Sequence, residues 1–134
     1  MSTRRLAAAL ALLAACSWPP LAASPLPQGE VFRIDAAGDC QEQSPDAAPL
    51  PGGGFVTVWA GGFDPADPAV TQIYARVTGA DGAPAGPEIR VSETGRLLTS
   101  PAVAVGADGR FLVTWTDLSA GVRSRLFTAA GAPV

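Results

Sequence analysis

Gln43-Ser44-Pro45-Asp46-Ala47-Ala48-Pro49-Leu50-Pro51-Gly52-Gly53-Gly54-Phe55-Val56-Thr57-Val58-Trp59 returns without a gap as Thr99-Ser100-Pro101-Ala102-Val103-Ala104-Val105-Gly106-Ala107-Asp108-Gly109-Arg110-Phe111-Leu112-Val113-Thr114-Trp115. The offset is 56 throughout, and the Ser-Pro pair, the Phe and the Trp keep their places within it. Such a repeat decides the fold, because each copy must be a supersecondary unit whose apolar face is buried by its neighbour. Further on, Ala75-Arg76-Val77 and Gly82-Ala83-Pro84 return as Ser124-Arg125-Leu126 and Gly131-Ala132-Pro133 at an offset of 49. The first copy therefore carries an insertion, Gly61-Gly62-Phe63-Asp64-Pro65-Ala66-Asp67-Pro68-Ala69, which reads as a loop. Glu88-Ile89-Arg90-Val91-Ser92 echoes Val31-Phe32-Arg33-Ile34-Asp35 at an offset of 57. The expected order is a tail, a full repeat and a repeat without its tail, so that two units are present in permuted form.

Each unit reads as four short strands. Residues 47–50 and 102–105 form the first, 55–60 and 111–116 the second, 72–78 and 122–128 the third, and 88–92 and 31–35 the fourth. Gly-rich or Asp-Gly turns at Gly52 to Gly54, Asp81-Gly82, Asp108-Gly109 and Gly131 join them, because glycine supplies the positive φ that such turns need. In the second strand Phe55, Thr57 and Trp59 alternate with Val56 and Val58, so both faces are apolar and both must be covered. The third alternates Ile73, Ala75 and Val77 with Tyr74, Arg76 and Thr78, and in the second copy Val122, Ser124 and Leu126 with Arg123 and Arg125. That is the pattern of a half-exposed strand. The first strand is built of small residues, as expected where sheets crowd closest.

The fold class is therefore all-β: two four-stranded antiparallel units resembling β-propeller blades, arranged as packed sheets or as a partial propeller. The segments Ser-Pro-Ala-Val-Ala, Asp-Gly-Arg-Phe-Leu-Val-Thr-Trp, Ile-Tyr-Ala-Arg and Gly-Pro-Glu-Ile-Arg-Val resemble the tandem repeats, about 50 residues long, of large secreted bacterial repeat proteins and adhesin-like proteins. The resemblance implies propeller-like blades and brings no catalytic residues with it. A propeller ring needs about four to eight blades. Two units point to one of three arrangements: residues 31–35 pairing with residues 122–128 to complete the second sheet, several chains sharing one ring, or a stretch of a longer array.

Arg4 and Arg5 precede an apolar run, residues 6–15, too short to span a bilayer and suited to the core of a secretory signal. Residues 1–23 read as that signal. Leu13-Ala14-Ala15-Cys16 resembles the bacterial lipobox, in which Cys16 is lipidated and becomes the new N-terminus, and this reading is favoured; cleavage after Ala23 is the other. Residues 16–29, with Pro19, Pro20, Pro25 and Pro27, read as a tether, and residues 30–134 as the two-repeat domain. Cys40 then has no intramolecular partner, and nothing beside it activates a thiol.

The 134 residues include no His and no Lys, which removes His-based acid–base or metal chemistry and Lys Schiff bases. The formal charge of −3 becomes more negative once Arg4 and Arg5 leave with the signal, which argues against nucleic acid and anionic lipid surfaces. With 15 Gly and 13 Pro, long helices are not expected either. Trp59 and Trp115 end equivalent strands, as core residues or as platforms for stacking on sugars. Asp64 and Asp67 in the inserted loop are candidate Ca²⁺ ligands set against a plain solvated loop, since they lack the spacing of recognised calcium loops. Asp81 and Asp108 precede glycines as turn residues, and Asp35, Asp39 and Glu42 form an acidic, solvated segment.

Together these features predict an exported, lipid-anchored, non-enzymatic binding or structural module of the cell envelope, with no cofactor. Its partners are a protein or glycan, the membrane through the lipid alone, and further copies of itself. The alternative is a carbohydrate-binding module that works as an oligomeric propeller.

Overall fold

Four turns with one bonding scheme set the spacing of the strands. In each, the first residue's N–H donates to the carbonyl four residues on, and the fourth residue's N–H donates back to the first carbonyl. The turns open at Leu50, Gly79, Gly106 and Thr128, and their fourth residues are Gly53, Gly82, Gly109 and Gly131, with φ between 80° and 90°. This left-handed backbone is why glycine recurs there. Asp81 and Asp108 accept at Oδ1 from the N–H two residues on, in Ala83 and Arg110, which fixes both as turn residues.

A computed structural model describes residues 29–36, 42–62, 66–67, 69–93 and 95–134. The chain divides into Met1–Val31 and Phe32–Val134, and all the strands belong to the second unit. They are β1 (Gln43–Pro49), β2 (Phe55–Gly61), β3 (Val70–Thr78), β4 (Ile89–Arg90), β5 (Gly95–Arg96), β6 (Leu98–Val105), β7 (Phe111–Asp117) and β8 (Gly121–Phe127). The first sheet runs β1-β2-β3-β4 with β5 beside the start of β3, the second runs β6-β7-β8, and every pairing is antiparallel. There is no helix among the described residues, so the chain is all-β.

The Ser-Pro repeat has a structural meaning. Ser44 and Ser100 both take φ of 52°, and the register slips at the same place in each copy, between Gln43 and Asp46 and between Thr99 and Ala102. Proline cannot donate to a ladder, so a bulge is where a strand tolerates it. β1 and β6 then lie beside each other, with the Val103 N–H donating to Asp46 Oδ2 at 2.9 Å.

Register places Val56, Val58 and Ala60 of β2 opposite Val77, Ala75 and Ile73 of β3, on one face of the first sheet. In the second sheet Phe111 sits opposite Phe127 and Val113 opposite Arg125. These two faces close on each other around one core, in which the Phe111 and Phe127 rings stack at 5.1 Å. The two units thus stack in the same sense: one face of the first sheet meets the opposite face of the second.

Two expectations are corrected. The second sheet has three strands, because residues 31–35 are not a strand and do not complete it. Phe32 lies against Phe55 with ring centroids 6.5 Å apart, and the Ala36 N–H donates to Glu88 Oε2 at 2.9 Å. Both contacts hold the segment on the first sheet. The fourth strand of that sheet is also shorter than residues 88–92, since the Val91 and Ser92 N–H groups both turn to the Ile73 carbonyl.

In β8 the structure adds which face finds cover. Alternation groups Val122, Ser124 and Leu126 correctly, but this face points outward, with Val122 80% exposed, while Arg125 points to the first sheet and donates to the Val91 carbonyl at 2.8 Å. Alternation says which residues share a face and not which face finds cover.

Candidate functional site

Neither tryptophan is a free stacking platform. Trp59 is 5% exposed and stacks on Tyr74 at 6.1 Å, and Trp115 is 6% exposed within the shared core. Trp115 lines a cleft of about 270 Å³ between the sheets, together with Ser92, Glu93, Asp117, Arg123 and Arg125. Four of its polar side chains have partners. Arg123 Nε donates to Asp117 Oδ2 at 3.2 Å, Arg125 to Val91, and Ser92 Oγ accepts from the Ile73 N–H.

The Trp115 indole N–H is buried with no acceptor among the described residues. A buried donor left unpaired costs about 1–3 kcal/mol. Trp115→Phe should therefore leave stability within about 1 kcal/mol of the parent, because loss of the unpaired donor offsets loss of packing volume. Trp115→Ala should lose about 3–5 kcal/mol. Urea denaturation of the pair checks this, and a Phe variant as unstable as the Ala variant would show that the indole has an acceptor.

Beside the same cleft, the Ser119 hydroxyl and N–H bond to Asp117 Oδ1 next to Arg123. The hydroxyl first, then the Ser119 N–H and the guanidinium, hold the Asp117 carboxyl below the usual aspartate value of 3.8. The folded form thus favours the ionised carboxylate, so its contribution is complete above 3.8 and is lost as pH falls through the lower folded value. Thermal melts from neutral into acid should show this loss, and Asp117→Asn should flatten the acid limb. Asp35 and Asp108 are lowered in the same direction, chiefly by side-chain bonds from Arg33 and Arg110.

In the inserted loop, Asp67 Oδ1 accepts from the Ala69 N–H at 3.2 Å, while Asp64 lies outside the described residues. No group of three or more His, Cys, Asp or Glu side chains suited to a metal ion occurs among the described residues. Cys16, Cys40 and Asp39 also lie outside them. No helix among the described residues is long and apolar enough to cross a membrane.

The feature that sequence reasoning missed is the outward face of the second sheet. Leu112, Leu126 and Ala104 line a shallow hollow of about 370 Å³ there, rimmed by Asp108 and Arg110, and Val122 stands clear of the same face. The signal was present in the repeat, since Leu112 and Leu126 occupy the places of Val56 and Val77, which are buried in the first unit. Beside this face, β8 pairs with β7 on one side, and on the other Pro133 bridges to Phe127 and the Val134 N–H donates to the Leu126 carbonyl.

Comparison with protein families, curated proteins and solved structures finds no match to this chain.

Proposed function

We propose that the protein is an exported, lipid-anchored module of the cell envelope that works by protein contact, without catalysis, through propeller-like repeat units. The observation that carries this reading is the outward face of the second sheet, where Leu112 and Val122 are exposed while both tryptophans are packed away. Aromatic platforms for sugar need an exposed ring, which favours protein contact over the carbohydrate-binding alternative. The anchor rests on the lipobox-like Leu13-Ala14-Ala15-Cys16, from which the Pro-rich tether would hold the domain off the membrane.

A photo-crosslinking residue at position 122, introduced in the producing cell, tests the contact. Adducts are expected at 122 and not at Arg110, which is exposed but stands on the rim. Equal labelling at both positions, or none, with reproducible binding on a glycan array, would replace this reading with the carbohydrate one. Palmitate labelling that persists in Cys16→Ser would remove the anchor.

A further inference from the structure

The two repeats differ most in chemistry at the cleft between the sheets. In the first unit Trp59 faces Tyr74 across the strands, and Gly61 ends β2. The equivalent positions in the second unit are Arg123, opposite Trp115, and Asp117, which ends β7. A stacked aromatic pair is thus replaced by a cation and a carboxylate, in a cleft of about 270 Å³ whose apolar wall is Leu98 and Trp115.

Two charged groups of this cleft lack a counter-charge among the described residues. Asp117 and Arg123 satisfy each other, and Ser119 holds the other carboxylate oxygen. Arg125 is different. Its repeat counterpart Arg76 has the Glu88 carboxylate at 3.9 Å, whereas Arg125 has the Val91 carbonyl at Nη1 and no carboxylate within ion-pair distance among the described residues. Glu93, exposed on the wall that the first unit supplies, makes no hydrogen bond or ion pair among the described residues. The guanidinium and the carboxylate therefore line one cleft without pairing with each other.

The neighbouring groups narrow the ligand. Ser92 Oγ accepts from the Ile73 N–H, and its own hydroxyl proton has no acceptor among the described residues. A half-buried guanidinium beside a hydroxyl donor suits a carboxylate, which accepts from both. A plain anion would also meet Glu93 and Asp117, and a plain cation would meet Arg123 and Arg125. A ligand that carries both charges meets neither repulsion.

We propose that this cleft binds a small zwitterion, an α-amino acid with an apolar side chain. Its carboxylate takes the Arg125 guanidinium and the Ser92 hydroxyl, its ammonium takes Glu93, and its side chain rests on Leu98 and Trp115. Such a ligand ties the residues that follow β4 to β8, and so bridges the two repeats. The cleft is separate from the outward face on which the contact reading rests, so either can fail without the other.

The test is a nuclear magnetic resonance titration of the isotopically labelled protein, as purified from its cells, with L-leucine. The expected result is a saturable shift of the Trp115 indole and Arg125 side-chain signals below about 10 mM, with the Trp59 indole unmoved. N-acetyl-L-leucine lacks the ammonium and L-leucinamide lacks the carboxylate. Each should bind about tenfold or more weakly, the effect of losing one charge-assisted bond. Glu93→Gln, at an exposed position that bears no internal bond among the described residues, should weaken leucine by the same factor and leave N-acetyl-L-leucine no weaker. Absence of any saturable shift overturns the proposal. Equal affinity for leucine and either derivative overturns it as well, as does a Glu93→Gln variant that binds leucine unchanged.

Discussion

Phe111→Ala is expected to destabilise the protein by about 3–5 kcal/mol, the range for emptying a buried aromatic site. Phe111 is fully buried, stacked on Phe127, and belongs to the core shared by both sheets. Its loss therefore loosens the join between the repeats as well as one strand pair. A domain of this size has about 5–15 kcal/mol in total, so the variant should unfold at a much lower urea concentration, with the slope unchanged. Leu112→Ala, one residue along on the outward face, should change stability by only about 0.5 kcal/mol. Similar losses at the two positions would mean that β7 is covered on both faces.

Gly54→Ala should be nearly as damaging, although it adds one methyl group outside the core. Gly54 has φ of 77°, and a Cβ there would run into the Thr78 carbonyl across the sheet. The left-handed backbone costs a non-glycine residue about 1–2 kcal/mol, and forcing apart packed backbone costs about 1–3 kcal/mol more. Gly82 is the control. Its φ is 80° but nothing lies within 4 Å of the added atom, so Gly82→Ala should show the backbone term alone. Equal losses in urea denaturation would mean that β2 does not leave its turn as described.

The repeat made much of this architecture legible before any coordinates. β2, β3 and β7 fall where the alternation of Phe55 to Trp59, Ile73 to Val77 and Phe111 to Trp115 places them, and the glycine turns sit at the repeating positions. Burial of both faces of β2 followed from Thr57 and Trp59 alternating with Val56 and Val58. What could not be read was cover. Phe32-Arg33-Ile34-Asp35 alternates like a strand, but its pairing depends on which edge it reaches, and it lies by Phe55 and Glu88 rather than at β8. Likewise, alternation groups Val122 with Leu126 without saying which way they face, and the stacking sense of the two units turns Arg125 inward. Tryptophan at a strand end suits a rim or a core, and Trp59 and Trp115 are both buried. Leu112 is one apolar residue among several in β7, so nothing in the sequence singles it out.

The two repeat units stack in the same sense, with the turn at Gly131 of the second unit lying against Ile89 and Val77 of the first. Nuclear Overhauser contacts from the Gly131 Hα protons to the Ile89 δ1 and Val77 γ methyls test that arrangement most directly. The stack predicts strong cross-peaks to the Ile89 methyl and weaker ones to Val77. Their absence, with Gly131 and both methyls assigned and the strand pairings within each sheet intact, would show that the sheets do not stack in this sense and that the open face has been misidentified.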